Sequence, residues 1–139
     1  MAPPSPTAYG TVRDWMTREP VGVAPDCPIR RALALMGEAG VRHLLVIDAD
    51  RLVGIVSSRD VGRLVGGERP ADLGEPVSRI MTEGPVTVPP DAPIAVAARL
   101  LLDERIGALP VRDGERVVGV FTAADALDAL LALVEAPAR

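Results

Sequence analysis

Residues 16–29 read MTREPVGVAPDCPI and residues 81–94 read MTEGPVTVPPDAPI. At an offset of 65 positions (81 − 16) the two stretches share Met-Thr, Pro-Val, a further Val and Pro-Asp-x-Pro-Ile. The same offset holds along the chain without a gap. Leu44-x-Val46-x-Asp48 meets Leu109-x-Val111-x-Asp113, Arg51-x-Val53-Gly54 meets Arg116-x-Val118-Gly119, and Asp60 meets Asp125. Identity this dense at one fixed offset marks an internal duplication. Two copies are too few for a solenoid, so a closed pair is predicted.

Each copy parses as β-α-β-β-α, an α/β (α+β) pattern. Residues 21–23 and 86–88 are short β-rich pieces. Asp26 and Asp91 are positioned to N-cap a helix, with Pro28 and Pro93 in its first turn, where a missing N–H costs nothing. Ile29, Ala32, Leu33, Leu35, Met36 and Ala39 then recur at near-helical spacing, and Gly40 is a C-terminal stop. Strands are expected over 44–47 and 51–56, around a turn at Asp48-Ala49-Asp50; the second copy turns at Asp113-Gly114-Glu115. Short amphipathic helices close the copies, over 58–65 and 123–133. The domains are read as 10–66 and 75–133, joined by a linker at 67–74, and residues 136–139 as a frayed tail.

The chain has 139 residues, of which 48% are hydrophobic but only three are aromatic, so its core is aliphatic. Fifteen Arg, with no Lys, stand against 19 acids, a net charge of −4. That balance argues against general nucleic-acid binding, which needs cations to neutralise phosphates. The single Cys27 excludes an intrachain disulfide and a cysteine-based metal motif, and fits a reducing compartment. Neither a signal peptide nor an apolar run of transmembrane length is read, so a soluble cytoplasmic protein is expected. A phosphate-binding loop with an obligatory Lys is absent, as is any Ser-His-Asp set or carboxylate cluster with metal-ligand spacing. No catalytic residue, catalytic cofactor or metal is therefore assigned, and the chain is read as no enzyme.

Met-Thr-x-x-Pro-Val, Asp-x-Pro-Ile and a terminal Gly-hydrophobic-hydrophobic-Ser/Thr-x-x-Asp, in that order and twice, resemble the CBS domain family. The resemblance covers residues 10–66 and 75–133. It implies two units packed as a pseudo-twofold pair, a Bateman module. Clefts between the units would bind AMP, ADP, ATP, S-adenosylmethionine or a related adenosine ligand, and many members dimerise. Leu45 stands where the family commonly has proline, whereas Pro110 keeps it.

Gly54-Ile55-Val56-Ser57-Ser58-Arg59-Asp60 and Gly119-Val120-Phe121-Thr122-Ala123-Ala124-Asp125 carry the chemistry. A strand delivers a hydroxyl residue to a helix N-terminus, whose N–H groups and positive potential suit phosphate. Asp60 and Asp125, in the first turn, can accept hydrogen bonds from a ribose diol. The same four-residue spacing also serves as a capping box that merely starts a helix.

By resemblance, one cleft gathers Arg42, His43, Ser57 and Asp60, with Arg59 close by and Ile80 and Ile106 against the base. The other gathers Thr122 and Asp125 opposite Val41, with Gly107 and Ala108 where the cations would be. Arg42 and His43 read equally well as solvated surface, and Val41, Ile106, Trp15 and Ile80 as ordinary core. The first cleft is expected to prefer the more phosphorylated ligand, and charged His43 to stop contributing as pH rises past about 6.5.

Two functions remain open: a ligand-sensing module, or a ligand-free dimerisation module. In either, output would pass through a partner protein. A homodimer is expected because Val61, Leu64, Val65, Ala126, Leu127, Leu130, Leu131 and Val134 exceed what one copy can bury.

Overall fold

The two copies fold by the same rules but exchange their leading segments. A computed structural model describes residues 8–66 and 72–135; most of the linker read at 67–74, and the tail at 136–139, lie outside the described residues. In chain order the elements are α1 (Val12–Trp15), β1 (Thr17–Arg18), β2 (Gly22–Val23), α2 (Ile29–Ala39), β3 (His43–Asp48), β4 (Arg51–Ser57) and α3 (Ser58–Val65). A 3-10 turn (Val77–Arg79), β5 (Thr82–Glu83), α4 (Ile94–Glu104), β6 (Ala108–Asp113), β7 (Arg116–Thr122) and α5 (Ala123–Val134) follow.

Two compact units result. One is Pro20–Pro85, with sheet order β2-β3-β4-β5; the other joins the described residues up to Glu19 to those from Val86 onward, with order β1-β7-β6. They are called below the Asp60 unit and the Asp125 unit. Each repeat thus completes its sheet with the Met-Thr strand that precedes the other repeat. Thr17 and Arg18 pair antiparallel with Val120 and Gly119, as Thr82 and Glu83 pair with Ile55 and Gly54.

The glycines of the two Val-Gly repeats let these edge strands in. A Cβ on Gly54 would lie 2.6 Å from Met81 Sδ, and one on Gly119 would lie 2.7 Å from the Thr17 carbonyl oxygen. Any larger residue there would force the edge strand away.

The exchange also settles how the long helices begin. Asp26 and Asp91 are not their caps. The cap positions belong to Pro28 and Pro93, which have no side-chain hydrogen bond to offer. Backbone from the exchanged segments satisfies the first amides instead: Ile29 N–H donates to Glu75 O at 2.9 Å and Arg30 N–H to Leu73 O at 2.8 Å. In the other unit Ile94 N–H reaches Gly10 O at 3.4 Å. A carbonyl supplied from elsewhere in the chain displaced the local aspartate, because any acceptor will serve an orphan amide.

The β piece expected at 86–88 is a single bridge, Val88 to Val111, whereas β2 forms a true parallel pairing with β3. The difference lies at the family's proline position. Leu45 N–H donates to Val21 O at 3.0 Å. Pro110, its counterpart, has no N–H to give, so the second pairing cannot extend. The departure at Leu45 leaves register unchanged. β3–β4 and β6–β7 pair alike and carry their irregularity at matching places, between Val46 and Ile47 and between Val111 and Arg112.

Each unit has its own hydrophobic core, aliphatic in the Asp60 unit and built around Phe121 in the Asp125 unit. In the Asp60 unit Ile29, Ala32 and Met36 turn one face of α2 onto Leu44, Val46, Val56, Val61 and Val77. In the Asp125 unit Ala97 and Leu101 of α4 meet Val12, Leu109, Val111 and Phe121. Burying each Val, Leu or Ile contributes about 1.5–3 kcal/mol.

α2 ends at Gly40, in the left-handed region at φ 67°, and α4 ends at Arg105, at φ 55°. Glycine adopts that conformation without steric cost, whereas an L side chain pays roughly 1 kcal/mol. Arg105→Gly is therefore expected to stabilise the chain, by about 0.5–1 kcal/mol, read from the midpoint of urea unfolding. A destabilised variant would contradict it.

Candidate functional site

The strand-to-helix corners predicted from the sequence are both present. β4 runs directly into α3 and β7 into α5, with Ser57 and Thr122 as the N-caps in extended conformation. Ser57 Oγ accepts from Asp60 N–H at 3.2 Å, and Asp60 Oδ2 accepts from Ser57 N–H at 2.8 Å. Thr122 and Asp125 repeat this at 3.1 and 2.9 Å. Both are reciprocal capping boxes, so the structural role of the motif is real.

Capping does not exhaust these groups. Each hydroxyl is used as an acceptor and keeps its own proton to donate. Each carboxylate uses Oδ2 and keeps Oδ1. Ser58 N–H is taken by Arg42 O at 2.9 Å and Ala123 N–H by Gly107 O at 2.9 Å. The next amides, of Arg59 and Ala124, find no acceptor among the described residues. A hydroxyl donor, a free amide and a free carboxylate oxygen therefore stand together at each corner.

In the Asp60 unit the corner opens into a depression of about 310 Å³ lined by Asp60, Arg63, Leu64 and Ile80. It is shallow and open to solvent, so a ligand seated there would keep one face exposed. Ile80 also packs against the unit's core, so the core and ligand-facing readings of this residue are compatible. Val41 lies in the same unit, half-buried against the same core, while Ile106 and Trp15 pack against the core of the Asp125 unit, the unit that also carries Thr122 and Asp125.

Arg63 and Leu64 were not singled out as site residues. Their signal was spacing: three and four positions after Asp60 on one helix puts them on its face. Leu64 and Val61 are half-buried and buried within their own unit, so they are not surplus apolar surface as the sequence suggested.

The electrostatics differ between the two corners. His43 begins β3 directly opposite Ser57. It is half-buried, and desolvation lowers its pKa below the ordinary 6.5; Asp60 pulls it back up, and Arg42 and Arg59 push it down again. At neutral pH His43 is neutral, and the positive charge around it comes from Arg42 and Arg59. The expected midpoint near 6.5 for this residue is corrected downward, because burial disfavours the imidazolium. At the matching positions of the other corner stand Gly107, Ala108 and Ala124, and the counterpart of Arg63 is Asp128.

The sign of the pH effect follows. A depressed histidine pKa makes a contribution to stability that is complete above about 6.5 and is lost as pH falls through the folded pKa. His43→Asn should flatten the stability profile below pH 6.5, measured by thermal melts from pH 7.5 to 5. An unchanged slope would contradict the assignment.

Among the described residues no helix is long and apolar enough to cross a membrane, and no cluster of His, Cys, Asp and Glu could hold a metal.

Duplicated mixed α/β units with a hydroxyl-capped helix after the second long strand define a class, and comparison places the chain in it. The sequence profile of the CBS domain matches residues 12–67 and 77–132. The chain belongs to the CBS domain family. It is 34% identical over 127 residues to the uncharacterized protein MJ1225 of Methanocaldococcus jannaschii, covering 80% of this chain but 45% of that one. Relatives named as enzymes match it over less than a quarter of their own length. Among solved structures, CBSX2 in complex with AMP superposes with a TM-score of 0.76 at 32% identity, covering 89% of this chain and 98% of that one. The CBS domain pair of protein MJ0100, in complex with 5′-methylthioadenosine and S-adenosyl-L-methionine, gives 0.79 at 25% identity, covering 89% and 97%.

Proposed function

We propose that the chain is a sensor module that binds an adenosine-type ligand at its Ser57–Asp60 and Thr122–Asp125 corners and signals occupancy to a partner protein. The observation that carries this is the convergence of a free carboxylate oxygen, a hydroxyl donor and a helix N-terminus beside the apolar Ile80 and Leu64. Ribose, phosphate and base each find a partner of matching chemistry there. The ligands of CBSX2 and of the MJ0100 pair support the same class: AMP, 5′-methylthioadenosine and S-adenosyl-L-methionine share adenosine.

The Asp60 corner, with Arg42 and Arg59, suits ADP or ATP. The Asp125 corner has no cation at the matching positions and suits a nucleoside or a monophosphate. Phosphates that lose part of their water need fixed positive partners, and Arg offers a planar fork. A thermal-shift series with AMP, ADP, ATP and S-adenosylmethionine tests the reading. Any of them at about 100 times its dissociation constant should add roughly 2.7 kcal/mol. Arg42→Ala should weaken ATP more than AMP, and equal loss of both would count against the charge argument.

The module is also proposed to be a homodimer. Leu127, Leu130, Leu131, Leu133 and Val134 of α5 are each at least half exposed, a continuous apolar helix face left uncovered among the described residues. Light scattering at micromolar concentration should give twice the chain mass, and a monomer would refute this.

A further inference from the structure

We propose that Arg63 selects the base at the Asp60 corner, its guanidinium stacking on the outer face of a purine; this rests on the nucleotide reading above. The polarity of α3 fixes the order of a ligand's parts. The free Arg59 amide and the Ser57 hydroxyl are at the helix N-terminus, so phosphate belongs there. Asp60 follows and takes the ribose. Arg63 and Leu64 come one turn later on the same face, about 4.5–6 Å further along the axis. The part of a nucleotide that lies beyond the ribose, away from phosphate, is the base.

The depression has the composition that a base needs, with one exception. Leu64 and Ile80 supply an apolar floor. No Phe, Tyr or Trp occurs between Pro20 and Pro85, and the one imidazole, His43, stands opposite Ser57 at the phosphate end and does not line the depression. Arg63 is the planar group that lines the depression. It is exposed at the rim, and among the described residues it has neither a carboxylate partner nor a hydrogen bond to hold it elsewhere. A delocalised, weakly hydrated cation over a π face is favourable, and the larger purine offers more face than a pyrimidine. At the matching position of the other unit, Asp128 cannot stack; a planar side chain appears there instead as Trp15, in the place of Ile80.

The test is calorimetric titration of AMP, adenosine, UMP and ribose 5-phosphate into the full chain carrying Asp125→Ala, with and without Arg63→Ala or Arg63→Lys. Arg63→Ala should weaken AMP and adenosine by the same factor, about two- to five-fold, the effect of an exposed cation–π contact. Ribose 5-phosphate should be unaffected, UMP should lose less than AMP, and Lys, which lacks the planar fork, should not restore the parent affinity. Ribose 5-phosphate weakened as much as AMP, or full rescue by Lys, would show Arg63 to be a phosphate or general charge partner and overturn the inference. AMP binding untouched by Arg63→Ala overturns it alone. Failure of AMP and adenosine to bind the parent overturns the nucleotide reading and this inference together.

Discussion

Phe121→Ala is expected to destabilise the chain by about 3–5 kcal/mol. Phe121 is the largest fully buried side chain and sits on β7 at the centre of the Asp125 unit's core, against Val12, Val88, Leu101 and Leu109. Its counterpart in the other unit is the smaller Val56, also fully buried, so each core is fitted to its own volume. Removal of the ring leaves both lost transfer energy and a cavity. The surrounding residues cannot collapse readily, because β7 is held on one side by β6 and on the other by β1. Urea unfolding followed by circular dichroism reads the effect. A loss below about 1 kcal/mol would mean that the core around Phe121 repacks freely, contrary to the packing described.

Asp60→Ala should act on two observables at once. Ligand affinity should fall by about 1.5–3 kcal/mol, the worth of a charge-assisted hydrogen bond to ribose. Stability without ligand should also fall, by about 1 kcal/mol, because Asp60 Oδ2 holds Ser57 N–H in the capping box. The sequence alone presented capping and binding as alternatives. The geometry makes them compatible, since the box uses one carboxylate oxygen and leaves the other. Asp60→Asn separates the two: it keeps an oxygen for the cap but loses the charge, so stability should largely recover while affinity does not. If Asp60→Ala loses stability alone, the residue is a cap and the ribose assignment fails.

The repeat made much of the fold legible. Gly54 and Gly119, Ser57 and Thr122, and Asp60 and Asp125 recur because each does the same local work in both units. The Met-Thr pairs were visible as a motif, but not as edge strands that complete the sheet of the other repeat. Two-residue strands carry no periodicity, and the reason for their placement, close approach over Gly54 and Gly119, is a tertiary contact. Asp26 and Asp91 misled for a related reason. Their capping chemistry was sound, but carbonyls of Glu75, Leu73 and Gly10 reached the helix amides from distant sequence. The contrast of Arg42 with Gly107 was readable by alignment of the copies, whereas the depression at Arg63 required the helix face to be seen against Ile80. The burial of His43 was likewise invisible, because an Arg-His pair before a strand looks the same whether it faces water or packs beside Ser57.

Calorimetric titration of AMP into the parent chain, beside Asp60→Ala and Asp125→Ala, tests the central claim most directly. The account predicts saturable binding to the parent, with the component at each corner weakened roughly ten- to hundred-fold by the matching substitution, the equivalent of about 1.5–3 kcal/mol. Absence of binding by AMP, ADP, ATP and S-adenosylmethionine alike, in a chain that remains folded, would contradict it and favour the ligand-free dimerisation reading instead.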